Sequence, residues 1–187
     1  QHPWFLEFKE ARAKGDTENP YYDYYSCVTE AEKVGGRTYQ KIAGVDCWFE
    51  CNFSSEMPEL NYDNPEVRQA MLDVAKYYLD LGVDGFRFDA VKYIYYGDTE
   101  QSVAFWEWYM EELRKIDPDI YVVGECWSGE SEILAYYGAM NCFNFAVSQA
   151  EGMMASTAKG NSMSKYTSYM ANYQKKVLEA NPEGMVM

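Results

Sequence analysis

Two charged side chains interrupt the apolar run GFRFDAV, residues 85–91, within the segment GVDGFRFDAVKY, residues 82–93. Arg87 and Asp89 are separated by one position, and Phe86 and Phe88 alternate with them. Alternate side chains of a strand project from opposite faces, so Arg87 and Asp89 share one face at a separation of roughly 6.5–7 Å. Because a strand buried on both faces is normally an almost continuous apolar run, we expect a buried strand whose charged face has a specific role.

Another charged residue, Glu125, lies in a second apolar segment, IYVVGECW. If the two segments are neighbouring parallel strands, Asp89 and Glu125 lie side by side at their C-terminal ends. Retaining glycosidases use two carboxyl groups about 5–5.5 Å apart, one as nucleophile and one as general acid and base. Arg87 would keep Asp89 ionised and oriented, whereas Glu125 would retain its proton through burial and nearby negative charge.

A structural interpretation of the same residues remains open at this point. Arg87 and Asp89 could form a buried ion pair that only stabilises the fold, with Glu125 unrelated to them. The spacing alone favours neither interpretation.

Apolar periodicity predicts the elements that position these residues. A helix begins with Asn64 as its N-cap and Pro65 in its first turn, and ends at Gly82. The expected apolar face of that helix is Val67, Met71, Val74, Ala75 and Tyr78. Further helices are predicted near residues 102–116, 130–137 and 162–179. The first of these has an apolar stripe at Val103, Trp106, Met110 and Leu113. The segment MNCFNFAV is predicted to be a third strand. Alternating helices and strands indicate an α/β fold with parallel strands.

Residues 1–60 have a different character, since Gly, Pro, Asn and aromatic residues occur there without lasting periodicity. A short helix over residues 4–14 and one or two short strands are the only regular elements expected. We therefore place a boundary between an irregular lobe, residues 1–60, and a helix-and-strand region, residues 61–187.

The composition excludes several classes of function. A net charge of −14 is unsuited to binding nucleic acid, and the chain contains no apolar run long enough for a membrane span. The only histidine, His2, leaves a Ser-His-Asp mechanism without a credible base. The five cysteines are scattered and are expected to be buried free thiols: Cys27, Cys47, Cys51, Cys126 and Cys142. Aromatic residues make up 17% of the chain, which fits either a tyrosine-rich core or platforms for sugar rings.

Four short motifs resemble those of the α-amylase family, glycoside hydrolase family 13. GFRFDAVKY is similar to the second conserved stretch of that family, and VVGECW is similar to the third. MPELN, at residues 57–61, resembles the motif at the end of the family's domain B, and QHPWF resembles the segment after barrel strand three. The order of the motifs is the same as in the family.

The resemblance implies an incomplete segment of a (β/α)8 TIM barrel, covering strands four to six, with residues 1–60 as a loop-rich, domain B-like insertion. It implies cleavage of α-glucosidic bonds in starch or maltodextrin, with Asp89 as nucleophile and Glu125 as acid and base. It places Lys92 and Tyr93 in contact with sugar beyond the cleavage point. Arg87, beside Asp89, and Trp127, just after Glu125, are also candidate substrate-binding residues, with packing as the alternative role for Trp127. Tyr93 departs from the family, which often has histidine there, so the sugar preference beyond the cleavage point is open. No cofactor is required, no metal ligand is assigned, and calcium is allowed in the complete protein.

In the family, a third catalytic carboxylate follows barrel strand seven, beyond Met187. We therefore expect this chain by itself to have little or no hydrolase activity, because electrostatic stabilisation of the transition state is usually the largest catalytic term. Open strand edges invite pairing, so self-association is also expected. An α-glucosidase, a glucan-transferring enzyme, and a non-catalytic sugar-binding or scaffold barrel remain alternatives.

Overall fold

A computed structural model describes all residues from 1 to 187, and the chain folds as two units, residues 1–75 and 76–187. None of the helices is both long and apolar enough to cross a lipid bilayer. The two units are built differently, as the sequence predicts for the two ends of the chain.

In the first unit, one helix packs against a small antiparallel sheet. Helix α1 (Pro3–Lys14) begins where the Trp4 N–H donates to His2 Nδ1 at 3.3 Å. The strands are β1 (Cys27–Val28), β2 (Tyr39–Lys41) and β3 (Trp48–Glu50), in the order β1-β3-β2. The Phe5 ring of α1 packs edge-on against Phe49 of β3, with centroids 5.0 Å apart. The predicted helix is confirmed, and the lobe contains three short strands instead of one or two.

Helix α2 (Pro65–Asp80) has the predicted N-cap, because the Glu66 N–H donates to Asn64 Oδ1 at 2.8 Å. Its predicted apolar face is only partly correct. Val67, Leu72 and Ala75 are buried, whereas Val74 and Tyr78 are 45% and 47% exposed. The periodicity identifies apolar positions, but which of them are covered depends on what packs against the helix.

The second unit contains a parallel sheet, β4 (Gly85–Phe88), β5 (Tyr121–Gly124) and β6 (Asn141–Cys142), in that order. Helix α3 (Thr99–Ile116) connects β4 to β5, and α4 (Glu130–Ala135) connects β5 to β6. After β6 follow α5 (Phe145–Ser148), α6 (Met153–Ala158) and α7 (Met163–Ala180). The α/β class and the parallel strands are confirmed. The described residues form an open three-stranded sheet and not a closed barrel.

One glycine permits the close pairing of the first two strands of this sheet. Gly85 is opposite Tyr121 in the register, and a Cβ added at Gly85 would lie 1.9 Å from the Tyr121 carbonyl oxygen. Any other residue would therefore separate β4 from β5 at their N-terminal ends.

Phe88 of β4 faces α3, as its alternation with the charged residues predicts. The Phe88 ring lies 4.8 Å from the Trp106 ring and 5.8 Å from the Tyr109 ring, both on α3. Of the apolar stripe predicted for α3, Trp106, Met110 and Leu113 are buried. This packing fixes which face of β4 carries Arg87.

The expectation that β4 is buried on both faces is wrong. Strand β4 is the edge strand of its sheet, pairing with β5 alone, and 43% of the Arg87 side chain is exposed. The charged face of β4 is therefore partly open to solvent, so Arg87 is not desolvated as the sequence suggests.

Candidate active site

The backbone brings the ends of β4 and β5 together. The Glu125 N–H donates to the Phe88 carbonyl oxygen at 2.8 Å, and the Val91 N–H donates to the Glu125 carbonyl oxygen at 3.0 Å. Between these two bonds the chain turns at Ala90, whose φ of +46° is the left-handed conformation. A 3₁₀ turn, Val91–Tyr93, follows, and the Trp106 indole N–H donates to the Val91 carbonyl oxygen at 2.8 Å.

The Arg87 guanidinium bridges the two carboxyl groups that the sequence pairs. Its Nη1 donates to Asp89 Oδ1, and its Nη2 donates to Glu125 Oε2. Because both nitrogens belong to one planar group, the two carboxyl groups are held side by side. The contact of Arg87 with Asp89 is predicted from the sequence, whereas its contact with Glu125 is not.

The three side chains differ in their access to solvent. Asp89 is 68% exposed and Arg87 is 43% exposed, whereas Glu125 is 21% exposed. The more exposed carboxylate is the proposed nucleophile, and the more enclosed one is the proposed acid. Substrate would have to displace water from this open face for the charges to act strongly.

Gly124 is a part of the site that the sequence analysis does not single out. A Cβ at this position would lie 2.7 Å from Met140 Sδ and 3.2 Å from Val91 Cγ1. Glycine before Glu125 therefore lets the Met140 and Val91 side chains pack closely here, and a larger residue would require one of them to move. A glycine at the end of an apolar strand, next to a carboxylate, is the signal that could have revealed it.

The Lys92 side chain contacts Trp127 at the backbone of Trp127. Lys92 Nζ donates to the Trp127 carbonyl oxygen at 2.8 Å. The Trp127 side chain is 61% exposed, and its ring is parallel to that of Phe145, with an angle of 10° and centroids 5.1 Å apart. Phe145 is a further residue that the sequence analysis does not identify.

Tyr93 is placed differently from Trp127. Its ring stacks on Tyr96 at 4.8 Å and 23°, and Lys92 Nζ lies 6.0 Å from its centroid. Tyr93 thus belongs to an aromatic pair on the turn after β4, while Trp127 belongs to a pair between the segments after β5 and β6.

Thiol and metal chemistry find no support among these residues. All five cysteines are free thiols. Burial raises the pKa of Cys126, next to Glu125, to about 12, so its thiolate is not available as a nucleophile near neutral pH. No group of three or more His, Cys, Asp or Glu side chains could hold a metal ion.

Comparison with known proteins gives a consistent result. The family model "Alpha amylase, catalytic domain" matches residues 1–186. Alpha-amylase 3 from Dictyoglomus thermophilum is 41% identical over 150 residues, covering 79% of this chain and 28% of that protein. A 4-alpha-glucanotransferase from Thermotoga neapolitana is 33% identical over 146 residues, covering 73% of this chain and 29% of that protein. The solved structure of Eubacterium rectale Amy13B has a TM-score of 0.86 at 27% identity and covers 96% of this chain and 37% of its own. The chain therefore covers between 28% and 37% of the length of these relatives.

Proposed function

Because the chain belongs to the α-amylase family, as its four motifs indicate, we propose that the protein is a retaining glycoside hydrolase that cleaves α-glucosidic bonds in starch or maltodextrin. The observation that carries the proposal is the bridge from Arg87 to both Asp89 and Glu125. It supports a carboxyl pair with a short separation, as retention of configuration requires.

In the proposed reaction, an Asp89 carboxylate oxygen attacks the anomeric carbon while Glu125 transfers a proton to the departing glycosidic oxygen. The carbon–oxygen bond to the leaving sugar breaks as the ester bond to Asp89 forms. Glu125, now a carboxylate, then removes a proton from water, which attacks the anomeric carbon and releases Asp89. Arg87 orients Asp89 for the attack, and its contact with Glu125 has to loosen when that side chain turns its proton toward the substrate.

Four residues are proposed to surround the substrate: Arg87, Lys92, Tyr93 and Trp127. No cofactor takes part in the steps above. Calcium was allowed for the complete protein on the basis of the family, but the carboxyl groups of this chain do not gather into a set that fits it, so no step is assigned to a metal.

The domain assignment is part of the same proposal. We take residues 1–60 as a domain B-like lobe and residues 61–187 as a part of the barrel that contributes strands four to six. The antiparallel sheet in the first unit and the parallel sheet in the second support this division. The structural units divide at residue 75, inside α2.

Transfer to another glucan is the second candidate reaction. The similarity to a 4-alpha-glucanotransferase favours it, since hydrolysis and transfer share the covalent intermediate and differ only in what attacks it. An α-glucosidase that acts on chain ends uses the same carboxyl pair.

The unpaired edge of β4 supports a proposal of self-association for the isolated chain. Light scattering over a range of concentrations tests it, and a constant monomer mass at high concentration would contradict it.

The test of the catalytic assignment is to trap the intermediate in the full-length protein. α-Maltosyl fluoride needs no acid to expel fluoride, so a Glu125→Gln variant should still form the ester and be slow to hydrolyse it. Mass spectrometry of proteolytic peptides should then find a maltosyl adduct on Asp89. In the same Glu125→Gln background, Asp84→Asn, a change at an exposed carboxylate before β4, is the matched control and should form the same adduct, whereas Asp89→Asn should form none. No adduct in any variant would favour the non-catalytic alternative.

A further inference from the structure

Trp127 has one face covered and one face open. The Phe145 ring is parallel to the indole at 5.1 Å, yet Trp127 is 61% exposed. A large apolar ring that is exposed on one face and backed by another aromatic ring suits the apolar face of a pyranose. Only the face opposite Phe145 is available for it.

The position of Trp127 is determined by the segments on both sides of its own. Lys92, from the turn after β4, donates to the Trp127 carbonyl oxygen at 2.8 Å. Phe145, from the segment after β6, packs on the indole. The three strand ends of the sheet therefore converge on this one residue.

Phe145 is itself firmly placed. Asn144, which is only 1% exposed, is the N-cap of α5. Its Oδ1 accepts hydrogen bonds from the Ala146 N–H at 3.1 Å and from the Tyr169 hydroxyl at 3.3 Å. Phe145 is the first residue of α5, so this buried N-cap fixes the position of its backbone.

We propose that Phe145 is a positioning residue that holds the Trp127 indole as a one-faced platform for the glucosyl unit on the leaving-group side of the cleaved bond. The inference rests on the proposed function. Glu125 protonates the leaving oxygen, and Trp127 follows it by two residues, so the sugar that departs lies on this side. The same place receives the acceptor sugar in transfer, so Phe145 affects the choice between a glucan and water. Lys92 acts in this arrangement through the carbonyl oxygen of Trp127.

The first experiment compares hydrolysis with transfer in the full-length protein. α-Maltosyl fluoride is the donor and maltotriose is the acceptor, with fluoride release and transfer products measured together. Phe145→Leu, which removes the aromatic stack at similar volume, should raise the KM for the acceptor and lower the transfer-to-hydrolysis ratio by about fivefold, in keeping with the strength of an aromatic pair. Fluoride release without acceptor is measured for comparison, and Phe145→Leu should lower it less than it lowers transfer. Phe145→Tyr should restore the ratio, and Phe53→Leu, at an exposed phenylalanine in the first unit, is the control.

An equal loss of fluoride release and transfer in Phe145→Leu would overturn the proposal, because it would indicate a general structural role. An unchanged transfer-to-hydrolysis ratio in Phe145→Leu would also overturn the proposal.

The second experiment needs no catalysis, so it separates this proposal from the proposed function. In fluorotryptophan-labelled protein, the signal lost in Trp127→Phe identifies Trp127. On titration with maltotriose this signal should shift in the wild type and in Phe145→Tyr. In Phe145→Leu, the same shift should need a maltotriose concentration about fivefold higher than in the wild type. If fluoride release is absent but the signal shifts in this pattern, the platform stands and the hydrolase proposal fails. If the signal does not move, the platform is wrong whatever the activity.

Discussion

The N–H of Val91 donates to the carbonyl oxygen of Glu125 at 3.0 Å, across the ends of two parallel strands. Together with the bond from the Glu125 N–H to the Phe88 carbonyl oxygen, it encloses the segment that carries Asp89. The positions of the two carboxyl-bearing residues are therefore coupled through the main chain. Substitutions that alter this backbone arrangement should affect both residues at once.

Ala90 is the only non-glycine residue with a positive φ, at +46°. The left-handed conformation costs an L-residue about 1–2 kcal/mol, and glycine avoids this cost but loses about 0.5–1 kcal/mol through its unfolded-state entropy. We expect Ala90→Gly to lie within about 1 kcal/mol of the wild type in free energy of unfolding. Ala90→Val should be destabilising by about 1–3 kcal/mol, because a β-branched side chain is strained there.

Urea unfolding of both variants measures the effect of Ala90. Ala135→Val, at an exposed position of α4, controls for the intrinsic cost of valine. If Ala90→Val unfolds at the same urea concentration as Ala90→Gly, the left-handed turn is not required.

Gly124→Ala tests the close packing in front of Glu125. The new Cβ would meet Met140 Sδ at 2.7 Å and Val91 Cγ1 at 3.2 Å, so one of these neighbours has to move. Overpacking of this kind costs about 1–3 kcal/mol. Gly129→Ala is the matched control, since nothing lies within 4 Å of a Cβ there. Equal free energies of unfolding for the two variants, measured by urea denaturation, would contradict the argument.

Arg87→Lys should reduce activity far more than stability. Lysine has a single ammonium group and cannot donate to two carboxylates in the planar arrangement of Arg87. Loss of orientation should lower the kcat for α-maltosyl fluoride in the full-length protein on the order of 10²-fold. The free energy of unfolding should change by less than about 1 kcal/mol, because these ion pairs are partly exposed.

Arg114→Lys is the control for Arg87→Lys, as Arg114 donates to the Ala139 carbonyl oxygen at 3.4 Å, away from the carboxyl pair. Retention of the wild-type kcat by Arg87→Lys would show that the bridge is dispensable.

A different carboxyl group, Glu59 in the first unit, should make stability depend on pH. Its Oε1 accepts a hydrogen bond from the Asn52 N–H at 3.0 Å, but burial, the largest effect, raises its pKa to about 7. The unfolded value is about 4.3, so the folded state binds more protons between these two pH values. The contribution of Glu59 to the free energy of unfolding is therefore complete below its unfolded pKa. It is lost as the pH rises through the folded pKa of about 7.

Glu59→Gln removes this titration and keeps an oxygen that accepts from Asn52. Compared with the wild type, the variant should be more stable at pH 8 by on the order of 1–3 kcal/mol, with the difference vanishing near pH 4.5. Urea unfolding at several pH values measures this. Glu56→Gln, at an exposed position of the same segment, is the control, and an identical pH profile for wild type and Glu59→Gln would refute the assignment.

Several parts of the fold could be predicted from local sequence because their causes are local. The Asn64 cap of α2 requires only an Asn side chain within reach of the Glu66 N–H, at 2.8 Å. The strand ends at Asp89 and Glu125 follow from short apolar runs that stop at charged residues, and helices between them imply parallel strands. The exposure of the charged face of β4 could not be predicted, since the burial of a strand face depends on what packs against it, and those contacts are not local in the sequence.

The sequence by itself predicted Arg87, Asp89 and Glu125 as the residues of the proposed site, and it predicted that they lie at the ends of neighbouring parallel strands, which the pairing of β4 with β5 confirms. Only the tertiary structure showed that Arg87 contacts both carboxyl groups and that Phe145 covers one face of Trp127. The physical reason is that alternation and capping act between near neighbours in the chain. The contacts from Arg87 to Glu125 and from Trp127 to Phe145 instead join separate strand ends, which come together only when the sheet forms.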